Sequence, residues 1–351
     1  MTRIISFAQA INEAHLQAME QSEDVLCYGL GVDDPKRIFG TTIGLKERFG
    51  RRVFDMPTAE NALTGIGVGA ALEGFRPVMV VQRLDFFLLA MDQVVNNAAK
   101  WHYMFGGQRP VPLTIRLILG RGWGQGPTHS QNLQAWFAHI PGLKVVMPTT
   151  PAEAKGLLLS SIFDDNPVIF LEHRWLHQQV GEVPTGADFR VPLSQARLVH
   201  EGSDVTIVSS SYLTIEASHA VQRLAEEGVK VDLIDPRTVK PLDWDAIFTS
   251  VRKTGRLLAL DTGAAFGSVA GEIVARVAMD AFGSLKAAPM RLAMPDVPEP
   301  TSSALTKGFY FGAPEIAAAA WRLATGEERA FPELIRSGPH DVPGQWFTGP
   351  F

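Results

Sequence analysis

Cysteine is almost absent from this chain: Cys27 is the one cysteine in 351 residues, so no internal disulfide can form. It sits in the apolar run VLCYGL, where a buried strand thiol is expected and a reducing compartment fits. A dominant charge is also missing, since 32 Lys and Arg face 37 Asp and Glu for a net charge of −5. The cations are scattered, which removes the electrostatic footprint of a nucleic-acid surface. No apolar run reaches the roughly 18 residues that a membrane span requires. The opening TRIISFAQAINEAHLQAMEQSED reads as an amphipathic helix with acids, rather than a basic segment followed by an apolar core, so a cytoplasmic protein is expected.

What is present is an α/β alternation. With 46% hydrophobic residues, the chain is long enough for two domains, each with its own core. DVLCYGL, RPVMVVQRL, VPLTIRLIL, LKVVMPT and PVIFLEH read as strands. ENALTGIGVGAALEG, FFLLAMDQVVNNAAKWHYMF and PAEAKGLLLSSIFDD read as helices between them. Continuous hydrophobicity in the strands implies burial on both faces, as in a mainly parallel sheet covered by helices. The pattern lapses around residues 186–203 and resumes with DVTIVSSS, YLTIEASHAVQRLAEEG, VKVDLID, LDWDAIFTSVRKT, GRLLALD and GSVAGEIVARVAMDAF. Two doubly wound domains over 1–185 and 204–328 are therefore expected, with an irregular Pro- and Gly-bearing tail over 329–351.

In MPTAENALTGIGVGAALEG, Thr58 reads as a helix N-cap and Glu60 as a first-turn acid opposing the helix dipole. On local grounds Glu60 needs no other role. Yet Gly65, Gly67 and Gly69 each weaken a helix by about 1 kcal/mol relative to Ala, so the segment must approach another surface closely. Alone, Phe86 in DFFLLAM reads as core and His129 as a surface loop residue. The preceding LGRGWGQGPTH is nevertheless a Gly-rich loop after a strand, a common place for functional side chains.

Taken together, FDMPTAENALTGIGVGAALEGFRPV, DFFLLAMDQVVNNAAKWHYMFGGQRPVPLTIR, THSQNLQAWFAHIPGLKVVMPTTPAEAKGLLLSSIFDDNPVIFLEH and VDLIDPRTVKPLDWDAI closely resemble the beta subunit of thiamine-diphosphate-dependent 2-oxo-acid dehydrogenases of the pyruvate and branched-chain type. The resemblance runs from about residue 4 to about residue 325. It implies a pyrimidine-binding domain followed by a transketolase C-terminal-like domain. It gives Glu60 the role of the acid that hydrogen-bonds the aminopyrimidine nitrogen of thiamine diphosphate, and Phe86 that of the aromatic packed on that ring. His129 matches a histidine assigned to proton transfer or acyl handling, work suited to imidazole. SIFDDNPV resembles the family's potassium loop, which implies an ion near Leu113, Ser161, Ile162, Asp164 and Asn166; an ordinary helix-ending turn reads equally well.

The family's pyrophosphate and magnesium motif, GDG followed by Asn, has no counterpart here, and no GxxxxGK[ST] replaces it. The resemblance thus implies an alpha subunit holding magnesium and the diphosphate end, in an α2β2 assembly, with a lipoyl acyltransferase as the acceptor. Leu30 and Leu89 stand where relatives carry polar or acidic residues, which puts communication between paired sites in question. The other readings are a split transketolase-like or acetoin-cleaving thiamine enzyme and a non-catalytic assembly subunit.

Overall fold

A computed structural model describes residues 1–121, 124–336, 340 and 342. Two residues of the Gly-rich loop, Gly122 and Trp123, and most of the expected tail beyond Arg336 lie outside the described residues. The chain divides into two compact units. The first comprises residues 1–120 and 136–193; the second comprises residues 121–135 and continues from Ser194. The sequence reading put residues 121–135 in the first domain. They group with the second because their side chains are anchored there, as described below.

In the first unit, parallel strands lie side by side in the order Lys144–Val146, Val168–His173, Thr114–Leu119, Arg76–Val81, Val25–Gly29 and Val53–Asp55. Every residue of Thr114–Leu119 and Val168–His173 is buried, as expected for central strands covered on both faces. The chain passes from Val25–Gly29 outward to Val53–Asp55, then returns to the other side through Arg76–Val81. This reversal is a topological switch point, and ligands of such sheets bind beyond the carboxyl ends of the strands there.

Several local readings change. The first residues form a strand, Thr2–Ser6, pairing antiparallel with Val180–Pro184. The helix begins only at Phe7, where Ser6 and Gln9 make a capping box. The expected long helix after Asp85 is broken into Leu84–Phe87, the turn Leu88–Ala90, a π-helical turn Gln93–Ala98 and Ala99–Met104. The short strand Val53–Asp55 was not legible, because three residues are too few to show a period.

In the second unit the order is Met290–Met294, Leu257–Ala264, Val205–Val208, Val231–Asp235 and Arg197–His200, parallel except for the last, antiparallel strand. That edge strand lies in the segment expected to be a linker. Its core joins Ile207, Leu233 and Leu258 of the sheet to Leu213, Ala217 and Leu224 of the helix Tyr212–Glu226 and to Ile316 and Ala320 of the helix Ala313–Thr325. A second cluster packs the helices Trp244–Thr254 and Val269–Asp280 about Val208, Ile234 and Ala259.

Candidate active site

Glu60 is the first residue of the helix Glu60–Leu72, which leaves the carboxyl end of Val53–Asp55 at the switch point. The expected N-cap, Thr58, is exposed; the cap is Ala59, which offers no side-chain hydrogen bond. Glu60 therefore enters the helix without a local tether for its carboxylate. The residue is 4% exposed, and its carboxylate makes no hydrogen bond or ion pair among the described residues. Its oxygens are not among the fully buried unpaired side-chain atoms, so the carboxylate is open to accept or share a proton with a group outside the described residues.

The glycines of this helix have separate explanations. A Cβ on Gly67 would stand 2.2 Å from the Tyr28 hydroxyl, which fills that space and donates to the Leu63 carbonyl at 2.9 Å. Gly65 faces the Gln93 side chain, and Gly69 faces open space. Close approach is thus made within the chain at Gly67, while a Cβ at Gly65 would meet Gln93 at ordinary contact distance. Gly69, with exposed Ala62 and half-exposed Ile66, belongs to a smooth uncovered face.

Phe86 follows the carboxyl end of the adjoining strand Arg76–Val81 and is 40% exposed, whereas its neighbour Phe87 is wholly buried. Glu60 and Phe86 are thereby brought to the same edge of one sheet, on either side of Val25–Gly29. Asp55, which was not singled out from the sequence, accepts from the Val32 and Asp33 N–H groups at 2.6 and 3.2 Å and fixes the loop after Val25–Gly29. An acid at the end of a strand, in FDMP, was its available signal. Leu89 is 70% exposed and Leu30 half-buried. Burial pushes the Cys27 thiol up to about 12, which makes it an inert core residue.

His129 belongs to the segment assigned to the second unit. The ring is half-buried, and its Nδ1 lies 2.9 Å from the Thr128 hydroxyl. His173 and His177 are buried in the first unit, where His173 Nδ1 accepts from the Trp175 N–H at 3.2 Å.

At the expected potassium loop, the carbonyls of Leu113, Ser161 and Ile162 already accept from Val168 N, Asp164 N and Arg76 Nη1 at 3.0, 3.2 and 3.3 Å. Arg76 also donates to the Asp164 carbonyl at 3.0 Å, Lys144 pairs with the Asp164 carboxylate, and Asn166 N binds Asp164 Oδ1 at 2.8 Å. Arg76 and Lys144 thus lie beside the turn expected to hold potassium, and each of these carbonyls keeps a second lone pair.

The pattern matches a family model described as "Transketolase, pyrimidine binding domain" over residues 3–179 and another described as "Transketolase, C-terminal domain" over residues 194–316. A solved structure titled "Split gene transketolase, inactive beta4 tetramer" superposes with a TM-score of 0.74 at 21% identity, covering 93% of this chain and 99% of that one, and bears on the fold alone. Two doubly wound units that match these two models in this order define the transketolase-like class. Acetoin:2,6-dichlorophenolindophenol oxidoreductase subunit beta of Cupriavidus necator is 40% identical over 93% of this chain and 99% of that protein. Pyruvate dehydrogenase E1 component subunit beta of Rhizobium meliloti is 42% identical over 85% of this chain and 65% of that protein. The chain belongs to the family of beta subunits of thiamine-diphosphate-dependent 2-oxo-acid and acetoin dehydrogenases.

Proposed function

We propose that this chain is the beta half of a 2-oxo-acid dehydrogenase that, with a separate alpha subunit, decarboxylates a 2-oxo acid and passes the acyl group to a lipoyl acceptor. The observation that carries the reading is Glu60, a residue only 4% exposed whose carboxylate has no partner among the described residues, at the carboxyl edge of a parallel sheet. That donor set fits the pyrimidine end of thiamine diphosphate, with Phe86 offering an aromatic face to a flat ring. When bound, thiamine diphosphate supplies the electron sink for breaking the bond to the carboxylate.

This chain's residues set the conditions. Glu60 would hold a proton at the ring nitrogen. Phe86 limits ring tilt. His129 would move a proton at the acyl oxygen during transfer. The chain carries no GDG motif, and no group of three His, Cys, Asp or Glu suited to a metal occurs among the described residues. Magnesium and the diphosphate accordingly belong to the alpha subunit, in an α2β2 assembly with sites between alpha and beta chains.

Calorimetric titration tests the division of labour. The isolated chain should bind thiamine diphosphate weakly and the reconstituted complex tightly; tight binding by this chain alone would refute it. A second reading, acetoin cleavage, is favoured by the 40% identity to an acetoin oxidoreductase beta subunit along nearly the whole of both chains. Turnover of the complex on pyruvate, branched-chain 2-oxo acids and acetoin separates the two.

A further inference from the structure

The segment that carries His129 is fastened to the second unit by four independent contacts. Gln134, 2% exposed, donates through Nε2 to Asp261 Oδ1 and lies 3.0 Å from the Thr262 hydroxyl. Asn132 Nδ2 donates to the Ser130 carbonyl at 3.1 Å and to Glu299 Oε1 at 3.3 Å. Gly126, at φ +68°, lies so close to Thr301 that a Cβ would stand 2.2 Å from its hydroxyl. Arg121 stacks its guanidinium 3.9 Å from the centre of the Tyr310 ring.

Asp261 is the hub of this arrangement. It lies near the end of the buried part of the strand Leu257–Ala264, just before buried Thr262, and is itself 5% exposed. Besides Gln134, it accepts from Gly263 N at 2.9 Å and from Ala270 N at 3.1 Å, so its carboxylate is fixed by the backbone on both oxygens. A side chain held that way is a rigid anchor for whatever binds its remaining lone pairs. Gln134 is five residues from His129, with Asn132 bracing the turn between them.

We infer that Asp261 and Gln134 are positioning residues for His129: the second unit sets the imidazole through this contact, although neither side chain touches substrate. The proposal rests on the reading of His129 as the residue that handles the acyl group. Gln134 also keeps a buried Oε1 with no hydrogen-bond partner among the described residues, so the amide is held there by what it donates to.

The test uses the reconstituted alpha–beta complex with Gln134→Ala, Gln134→Glu, Asp261→Asn and, for comparison, His129→Ala. Two activities are read, acylation of a lipoyl domain and reduction of an artificial dye acceptor, together with amide hydrogen exchange across residues 124–135. Gln134→Ala should speed exchange in that segment and lower lipoyl acylation by about tenfold or more while lowering dye reduction much less, a split that loss of fold would not produce. Gln134→Glu, which sets a second carboxylate against Asp261, should behave as Gln134→Ala at neutral pH and recover on mild acidification. Unchanged exchange in Gln134→Ala and Asp261→Asn, or equal loss of both activities, overturns the inference. Should His129→Ala leave both activities intact while exchange still rises in the Gln134 variants, the anchoring stands and the role given to His129 falls.

Discussion

Arg116 and Glu172, on neighbouring strands, form a two-pronged ion pair with both side chains wholly buried, Nε to Oε1 at 2.6 Å and Nη2 to Oε2 at 2.9 Å. His15 Nε2 lies 2.8 Å from Arg116 Nη1, and His177 Nε2 lies 3.3 Å from Glu172 Oε2. Burial by itself would raise the Glu172 carboxyl, but Arg116 and the hydrogen bonds around it bring it down to about 2. Burial, with the Arg116 charge, holds His15 well below its ordinary 6.5. Removing one partner leaves an uncompensated buried charge, so Glu172→Gln should destabilise the chain by about 3–5 kcal/mol in urea denaturation.

The same cluster fixes the direction of the pH dependence. Folded Glu172 stays ionised down to about 2 while its unfolded form takes a proton near 4.5, so the pair's stabilisation is complete above 4.5 and is lost as pH falls towards 2. His15 stays neutral when folded and charges when unfolded, so stability also falls below 6.5. Urea midpoints should therefore decline on acidification below 6.5 and more steeply below 4.5. A midpoint that rises between those values contradicts this account.

Glu60→Gln should separate stability from activity. The Glu60 carboxylate makes no hydrogen bond or ion pair among the described residues, so the amide should leave the denaturation midpoint of the isolated chain nearly unchanged. Turnover of the complex should fall by about a hundredfold or more, because the amide cannot hold a proton at the ring nitrogen. Unchanged turnover would favour a scaffold subunit.

Phe86 and Phe87 should respond in opposite ways. Phe87→Ala empties a wholly buried position and should cost about 3–5 kcal/mol. Phe86→Ala should cost far less stability yet weaken cofactor binding by the complex, as calorimetry would read.

Gly67→Ala and Gly69→Ala differ in sign. The first drives a methyl group into the buried Tyr28 hydroxyl and should destabilise by about 1–3 kcal/mol. The second meets nothing within 4 Å and should stabilise the isolated chain by about 0.5–1 kcal/mol through helix propensity. In the complex, Gly69→Ala tests whether the uncovered face is a subunit contact, since a methyl group there would then weaken assembly.

The sequence by itself determined the two α/β halves and their central strands, because long buried runs are local patterns, whereas Glu60 stood out only through the family resemblance. It also showed the absence of a GDG motif, since a missing motif needs no coordinates. Only the tertiary structure decided that Tyr28 requires Gly67, that Arg76 and Lys144 lie beside the turn expected to hold potassium, and that the His129 segment belongs to the second unit. Each of these depends on side chains brought together from distant positions, such as Gln134 on Asp261, and contact at that separation leaves no period or spacing in a single chain.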